Sequence, residues 1–89
     1  MEDAIDAFNE ALIISPDYAD AWNNMGSALQ EQGKLQEAVD AYKKALFFKP
    51  NYAAAYNNMG NSLKEQGKKI DAVTAYKNAL NIKPNYDEA

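Results

Sequence analysis

Three prolines set 34 residues apart, Pro16, Pro50 and Pro84, cut the chain into copies of one unit. Tyr18, Tyr52 and Tyr86 keep the same interval, and residues 19–52 laid on 53–86 leave 22 of 34 positions identical. Met25-Gly26 falls on Met59-Gly60, and Glu31-Gln32-Gly33-Lys34 falls on Glu65-Gln66-Gly67-Lys68. A partial copy opens the chain, with Ala4, Phe8, Ala11, Leu12 and Pro16 matching Ala38, Tyr42, Ala45, Leu46 and Pro50. The expected organisation is a single segment, 1–89: a half repeat over 1–18 holding a second helix only, full repeats over 19–52 and 53–86, and a stub over 87–89. A unit this short cannot bury its own apolar faces and must stack on its neighbours.

Apolar spacing assigns two helices to each unit. Trp22, Met25, Gly26 and Leu29 follow i, i+3, i+4, i+7, and Tyr56, Met59, Gly60 and Leu63 repeat it. Ala38, Val39, Tyr42, Ala45 and Leu46 mark the second helix, matched by Ala72, Val73, Tyr76, Ala79 and Leu80. Gly33 and Gly67 suit a left-handed cap at the end of each first helix. Pro50 and Pro84 stop each second helix. Asp17, Asn51 and Asn85 follow the prolines as candidate N-caps, Asp17 with Asp20 as a variant capping box. The pattern predicts five helices, near 2–14, 18–32, 35–48, 52–66 and 69–82, and no strand. Gly26 and Gly60 leave room for a close helix approach. Lys69 stands where Leu35 supplies an apolar contact one unit earlier, and Ile70 is expected to take that contact over.

Composition removes several classes of function. The 89 residues contain no cysteine or histidine, and all nine basic residues are lysines. Disulfides, thiolate metal sites, histidine bases and arginine clamps on phosphate are therefore excluded. A net charge of −4 does not suit a nucleic-acid binder. No apolar run approaches the roughly 20 residues of a membrane span. No phosphate loop or zinc signature occurs, and Ser15, Ser27 and Ser62 have no histidine to activate them. The expectation is a protein without catalytic residues, cofactor or metal, binding neither nucleic acid nor membrane. The absence of cysteine is compatible with a cytoplasmic location.

The sequence resembles the tetratricopeptide repeat, a 34-residue helix–turn–helix unit. Trp22, Met25, Gly26, Leu29, Ala38, Tyr42, Ala45 and Pro50 fill its signature once, and Tyr56, Met59, Gly60, Leu63, Ala72, Tyr76, Ala79 and Pro84 fill it again. The resemblance implies an all-α fold, a solenoid of antiparallel helix pairs wound into a right-handed superhelix whose first helices line the concave face. It also implies a protein or an extended peptide as partner. Opposite the apolar side of the first helices lie Asp20, Asn23, Asn24, Ser27, Gln30 and Glu31, then Ala54, Asn57, Asn58, Asn61, Lys64 and Glu65. The expected peptide-binding set is Asp20, Asn23, Asn24, Ser27, Glu31, Asn57, Asn58, Asn61, Lys64 and Glu65.

Asn24 and Asn58 match the asparagine that recurs on the inner surface of the O-linked N-acetylglucosamine transferase type of array. There, by resemblance, a ladder of carboxamides grips a peptide backbone, each offering both a donor and an acceptor. The alternative for these asparagines is an ordinary solvated face copied by duplication. A second mode of the family clamps acidic chaperone tails and needs inner-face cations. The matching places carry Asn23, Asn57, Asn24, Asn58, Ala54 and Glu88, with Lys64 the one cation on the stripe. Acidic tails are therefore not the expected ligand.

The remaining lysines map to the second helices and their ends, as a solvated face. Uncapped ends expose apolar residues, so Ile5, Phe8, Leu12, Ile13 and Phe47 are candidates for self-association, with Ile14 and Phe48 assigned to the core. The alternatives to a peptide-binding module are homo-oligomerisation through the repeats and a substrate-recruiting segment of a larger glycosyltransferase-like protein.

Overall fold

The computed structural model describes residues 19–83. Four helices run through them: α1 Ala19–Glu31, α2 Leu35–Phe48, α3 Ala53–Glu65 and α4 Lys69–Ile82. The helix expected near 2–14, with Ile5, Phe8, Leu12, Ile13 and Ile14, lies outside the described residues, so four of the five expected helices are seen. Among the described residues there is no strand. α1 packs on α2 and α3 on α4; the two pairs join chiefly where α2 meets α3, with a narrow contact between α1 and α3. This is an all-helical solenoid of helix–turn–helix pairs.

The turn within each pair is written by a glycine. Gly33 has φ +79° and Gly67 φ +81°, a region that costs other L-residues roughly 1–2 kcal/mol. The Lys34 N–H donates to the Leu29 carbonyl and the Gly33 N–H to the Gln30 carbonyl, both at 2.9 Å. Lys68 and Gly67 repeat this with Leu63 and Lys64. These paired bonds form a Schellman cap, which satisfies the last carbonyls of the first helix and reverses the chain. The expected N-cap Asn51 is corrected by the structure. Tyr52 caps α3, and no side chain bonds there, because the Tyr52 N–H bonds back to Lys49 and its carbonyl accepts from Ala55 and Tyr56. The capping candidates Asp17 and Asn85 lie outside the described residues.

The core is made of small residues around one large one. Ala38, Ala45 and Tyr42 have no exposed surface. Tyr42 lies against Gly26, where an added Cβ would sit 2.5 Å from the ring; Tyr76 lies against Gly60, where the figure is 2.6 Å. The glycines therefore make room for an aromatic ring of the paired helix. Trp22, Met25 and Met59 are half-buried and pack on its edge. Between the pairs, Val39 is buried with Leu63, Ala72 and Ala75, and Ala45 with Ala19 and Ala55.

Two further expectations are overturned. Ile70 is 84% exposed and does not replace Leu35, because neighbouring residues on a helix point about 100° apart. Phe48 is 39% exposed, so it is not a core residue like the alanines before it.

Gly26→Ala should cost about 1–3 kcal/mol by overpacking, lowering the melting temperature by roughly 4–8 °C per kcal/mol. Because ring carbons cause the clash, Tyr42→Phe should not relieve it, whereas Tyr42→Leu should, giving a smaller combined loss than the sum of the single losses. Thermal unfolding followed by circular dichroism checks both.

Candidate functional site

The polar stripe of the first helices divides into residues that face solvent and residues that join helices. α1 places Asn24 and Glu31 in the open, with Ser27 and Gln30 half-buried; α3 exposes Lys64 and Glu65 and half-buries Asn58 and Asn61. Two of the expected binding residues lie elsewhere. Asn23 is 8% exposed and Asn57 1%. Their side chains sit inside the helix stack, not on its open surface.

Asn23 shows why the stack takes it. Its Nδ2 donates to the Tyr52 hydroxyl at 3.4 Å, and its Oδ1 accepts from Asn58 Nδ2 at 3.2 Å. One carboxamide thus ties α1 to α3 and to the connection that precedes α3. A buried amide left without partners would cost about 1–3 kcal/mol, so such bonds are retained. Asn24 and Asn58 hold equivalent sequence positions but different roles: Asn58 spends a donor on Asn23, while Asn24 stays exposed.

An open polar groove of about 420 Å³ runs between α1 and α3, lined by Ser27, Gln30, Glu31, Asn58, Asn61 and Glu65. Five of these belong to the expected set. Gln30 was not in it, although its helical spacing already put it on the stripe. Asp20 lies half-buried in the first turn of α1, and neither it, Asn24 nor Lys64 lines this groove. Asp20 and Lys64 suit the dipoles of the helix ends they occupy.

Sequence spacing also missed the tyrosine hydroxyls of the paired helices. Tyr42 Oη donates to Gln30 Oε1 at 2.9 Å and lies 3.4 Å from Ser27 Oγ. Tyr76 Oη donates to Asn61 Oδ1 at 2.6 Å. The core tyrosines thereby hold the groove's side chains in place. Gln30 Nε2 also donates to Glu65 Oε2 at 3.3 Å, linking the two walls.

Burial pushes the Tyr42 hydroxyl above its ordinary pKa; hydrogen bonding with Ser27 partly offsets this, and Glu65 and Glu31 add to the rise. Tyr76 is raised by burial and then by Glu65. The chemistry available is hydrogen bonding and charge. Among the described residues no group of acids converges as a metal site requires, and no helix is long and apolar enough to cross a membrane. Phe47, the one self-association candidate described, is 76% exposed and meets Phe48 edge to face at 5.0 Å.

A raised folded-state pKa means that the stability Tyr42 contributes is full below about pH 10 and is lost as pH climbs through the folded value. The urea midpoint should therefore fall above about pH 10, and less steeply in Tyr42→Phe than in the parent chain.

Comparison with known proteins bears on the same architecture. A family model described as TPR repeat matches residues 1–33 and 28–67, and one described as Tetratricopeptide repeat matches 53–86. No curated protein matches the chain. Two crystal structures of MamA superpose with TM-scores of 0.86 and 0.84 at 29% and 30% identity, covering 96% and 94% of this chain. The chain spans about half the length of those proteins, 50% and 46%. The first TPR of Spaghetti (RPAP3), solved bound to the HSP90 peptide SRMEEVD, superposes with a TM-score of 0.95 over 98% of this chain and 69% of its own. At 24% identity that likeness shows the fold alone.

Proposed function

The chain belongs to the tetratricopeptide repeat family, and on that premise we propose that it is a binding module holding an extended peptide, or an extended segment of a partner protein, along the groove between α1 and α3. Repeats of this family typically serve as non-catalytic interaction modules, and no catalytic step is assigned to this chain. The observation that carries the proposal is that successive first helices contribute Ser27, Gln30 and Glu31 from one side and Asn58, Asn61 and Glu65 from the other to one open groove. The groove is the concave face of a right-handed superhelix built from repeats 19–52 and 53–86. The peptide complex of the Spaghetti TPR supports the use of this fold for peptide capture.

The carboxamides supply the grip. Asn58 in the groove lining, with lone pairs beyond its bond to Asn23, and Asn24, exposed on α1 one turn before Ser27 and outside that lining, pair with the backbone of a bound segment that runs on past the groove, as in the O-linked N-acetylglucosamine transferase type of array. Packed helices lie roughly 8–10 Å apart and an extended chain advances about 3.3 Å per residue, so each repeat spans about three ligand residues. Two first helices offer less than the roughly 1,000 Å² of a stable interface. Binding by this segment is weak alone and is multiplied where more repeats act together.

A specific observation favours self-association as a second activity. Val39 is 2% exposed because α3 and α4 cover it, while its equivalent Val73 is 49% exposed, beside Ile70 at 84% and Leu80 at 39%. These residues leave an apolar stripe open on α4, and Phe47 with Phe48 adds a separate exposed apolar patch on α2.

Asn24→Ala should weaken binding of an extended peptide about two- to tenfold, the worth of one or two hydrogen bonds, with the melting temperature unchanged. Asn58→Ala should weaken binding and lower the melting temperature together, since it also breaks the bond to Asn23. Unchanged affinity in the double variant removes the carboxamide grip. Sedimentation at rising concentration should show association that Val73→Lys reduces; a monomer throughout counts against the second activity.

A further inference from the structure

We infer that the groove selects a cationic segment, one that sets Lys or Arg side chains about three residues apart against Glu31 and Glu65. The inference rests on the groove as the peptide site and adds the chemistry of its ligand. The lining contains two carboxylates and no cation. Lys64 lies outside the lining, and Lys43, Lys44 and Lys77 stand on α2 and α4. The other lining groups are amides and a hydroxyl, which can pair with a neutral backbone but do not sort side chains by charge.

Position reinforces the charge. Glu31 and Glu65 are equivalent residues of successive repeats, so they stand about one helix spacing apart, roughly 8–10 Å. That distance matches about three residues of extended chain. Gln30 Nε2 holds Glu65 Oε2 across the groove, and a carboxylate retains further lone pairs after accepting one bond. Burial first, and then the charges of Glu65 and Glu31, raise the proton affinity of the Tyr42 hydroxyl, which bonds the lining residue Gln30. An acidic ligand such as SRMEEVD, seen with the Spaghetti TPR, would bring like charges against both carboxylates, which opposes binding.

Both carboxylates are solvent-exposed, so each contributes a few-fold at most, and salt screens it. Three fluorescent peptides of about nine residues test the inference, sharing one extended backbone and carrying Lys, Gln or Glu at every third position. Affinities for the full 89-residue chain are read by fluorescence anisotropy at about 20 mM and about 500 mM salt. The expected order is Lys, Gln, Glu, with Lys over Glu by about tenfold at low salt and little difference at high salt. Glu31→Gln with Glu65→Gln should abolish the order. Glu37→Gln with Asp71→Asn changes net charge equally on the second helices and should preserve it. Equal binding of all three peptides, or a lysine preference that survives loss of both glutamates, overturns the inference and leaves the peptide groove standing. Failure of all three to bind overturns both.

Discussion

A tyrosine ring lying where a side chain would otherwise begin is the contact on which the rest of this fold depends. Tyr42 covers Gly26 and Tyr76 covers Gly60 so closely that even a methyl group has no place there. The ring sets how near the paired helices come. The alanines around it, Ala38, Ala45, Ala72 and Ala79, have almost no exposed surface at that separation. Interiors packed at crystal-like density leave little slack, so the ring has one place to lie. Its hydroxyl emerges at one point, beside Gln30 in the first pair and beside Asn61 in the second. The same side chain thus fixes the core and orients the groove.

Stacking converts equivalent residues into different ones. Asn23 and Asn57 enter the stack, Asn24 stays outside, and Asn58 turns to bond Asn23. Val39 is sealed by the next helix pair while Val73 is open. The two repeats carry these same groups at equivalent positions, but what they touch is set by what lies on that side. A quasi-one-dimensional architecture makes this general, because each repeat meets only its neighbours. The polar groove lies where two first helices adjoin, and its lining is drawn from both.

Much of this was legible in the residues, for reasons that are local. Helix ends followed from Gly33 and Gly67, whose positive φ few other residues adopt. Helix faces followed from apolar spacing, and the four described helices begin and end within one residue of their expected bounds. The stripe that lines the groove followed from the same spacing, including Ser27, Asn58, Asn61, Glu31 and Glu65. Less legible were the groups whose surroundings come from elsewhere. The 100° offset turns Ile70 away from the Leu35 position, but whether anything covers the face it turns to depends on which helices pack on α4. Nothing near Asn51 says that Tyr52 will cap α3, because a tight turn after Lys49 moves the cap by one position.

Periodicity, glycine conformation and small-residue spacing in the sequence by themselves determined that the described chain forms paired helices with one polar and one apolar side. These are properties of a backbone and its nearest neighbours, which a linear pattern records. Tertiary structure alone decided which amides of that polar side meet solvent, which are consumed between helices, and that tyrosines from the paired helices hold the groove. The physical reason is that burial and hydrogen-bond partnership are set across about one helix diameter, between residues as far apart in sequence as Asn23 and Asn58.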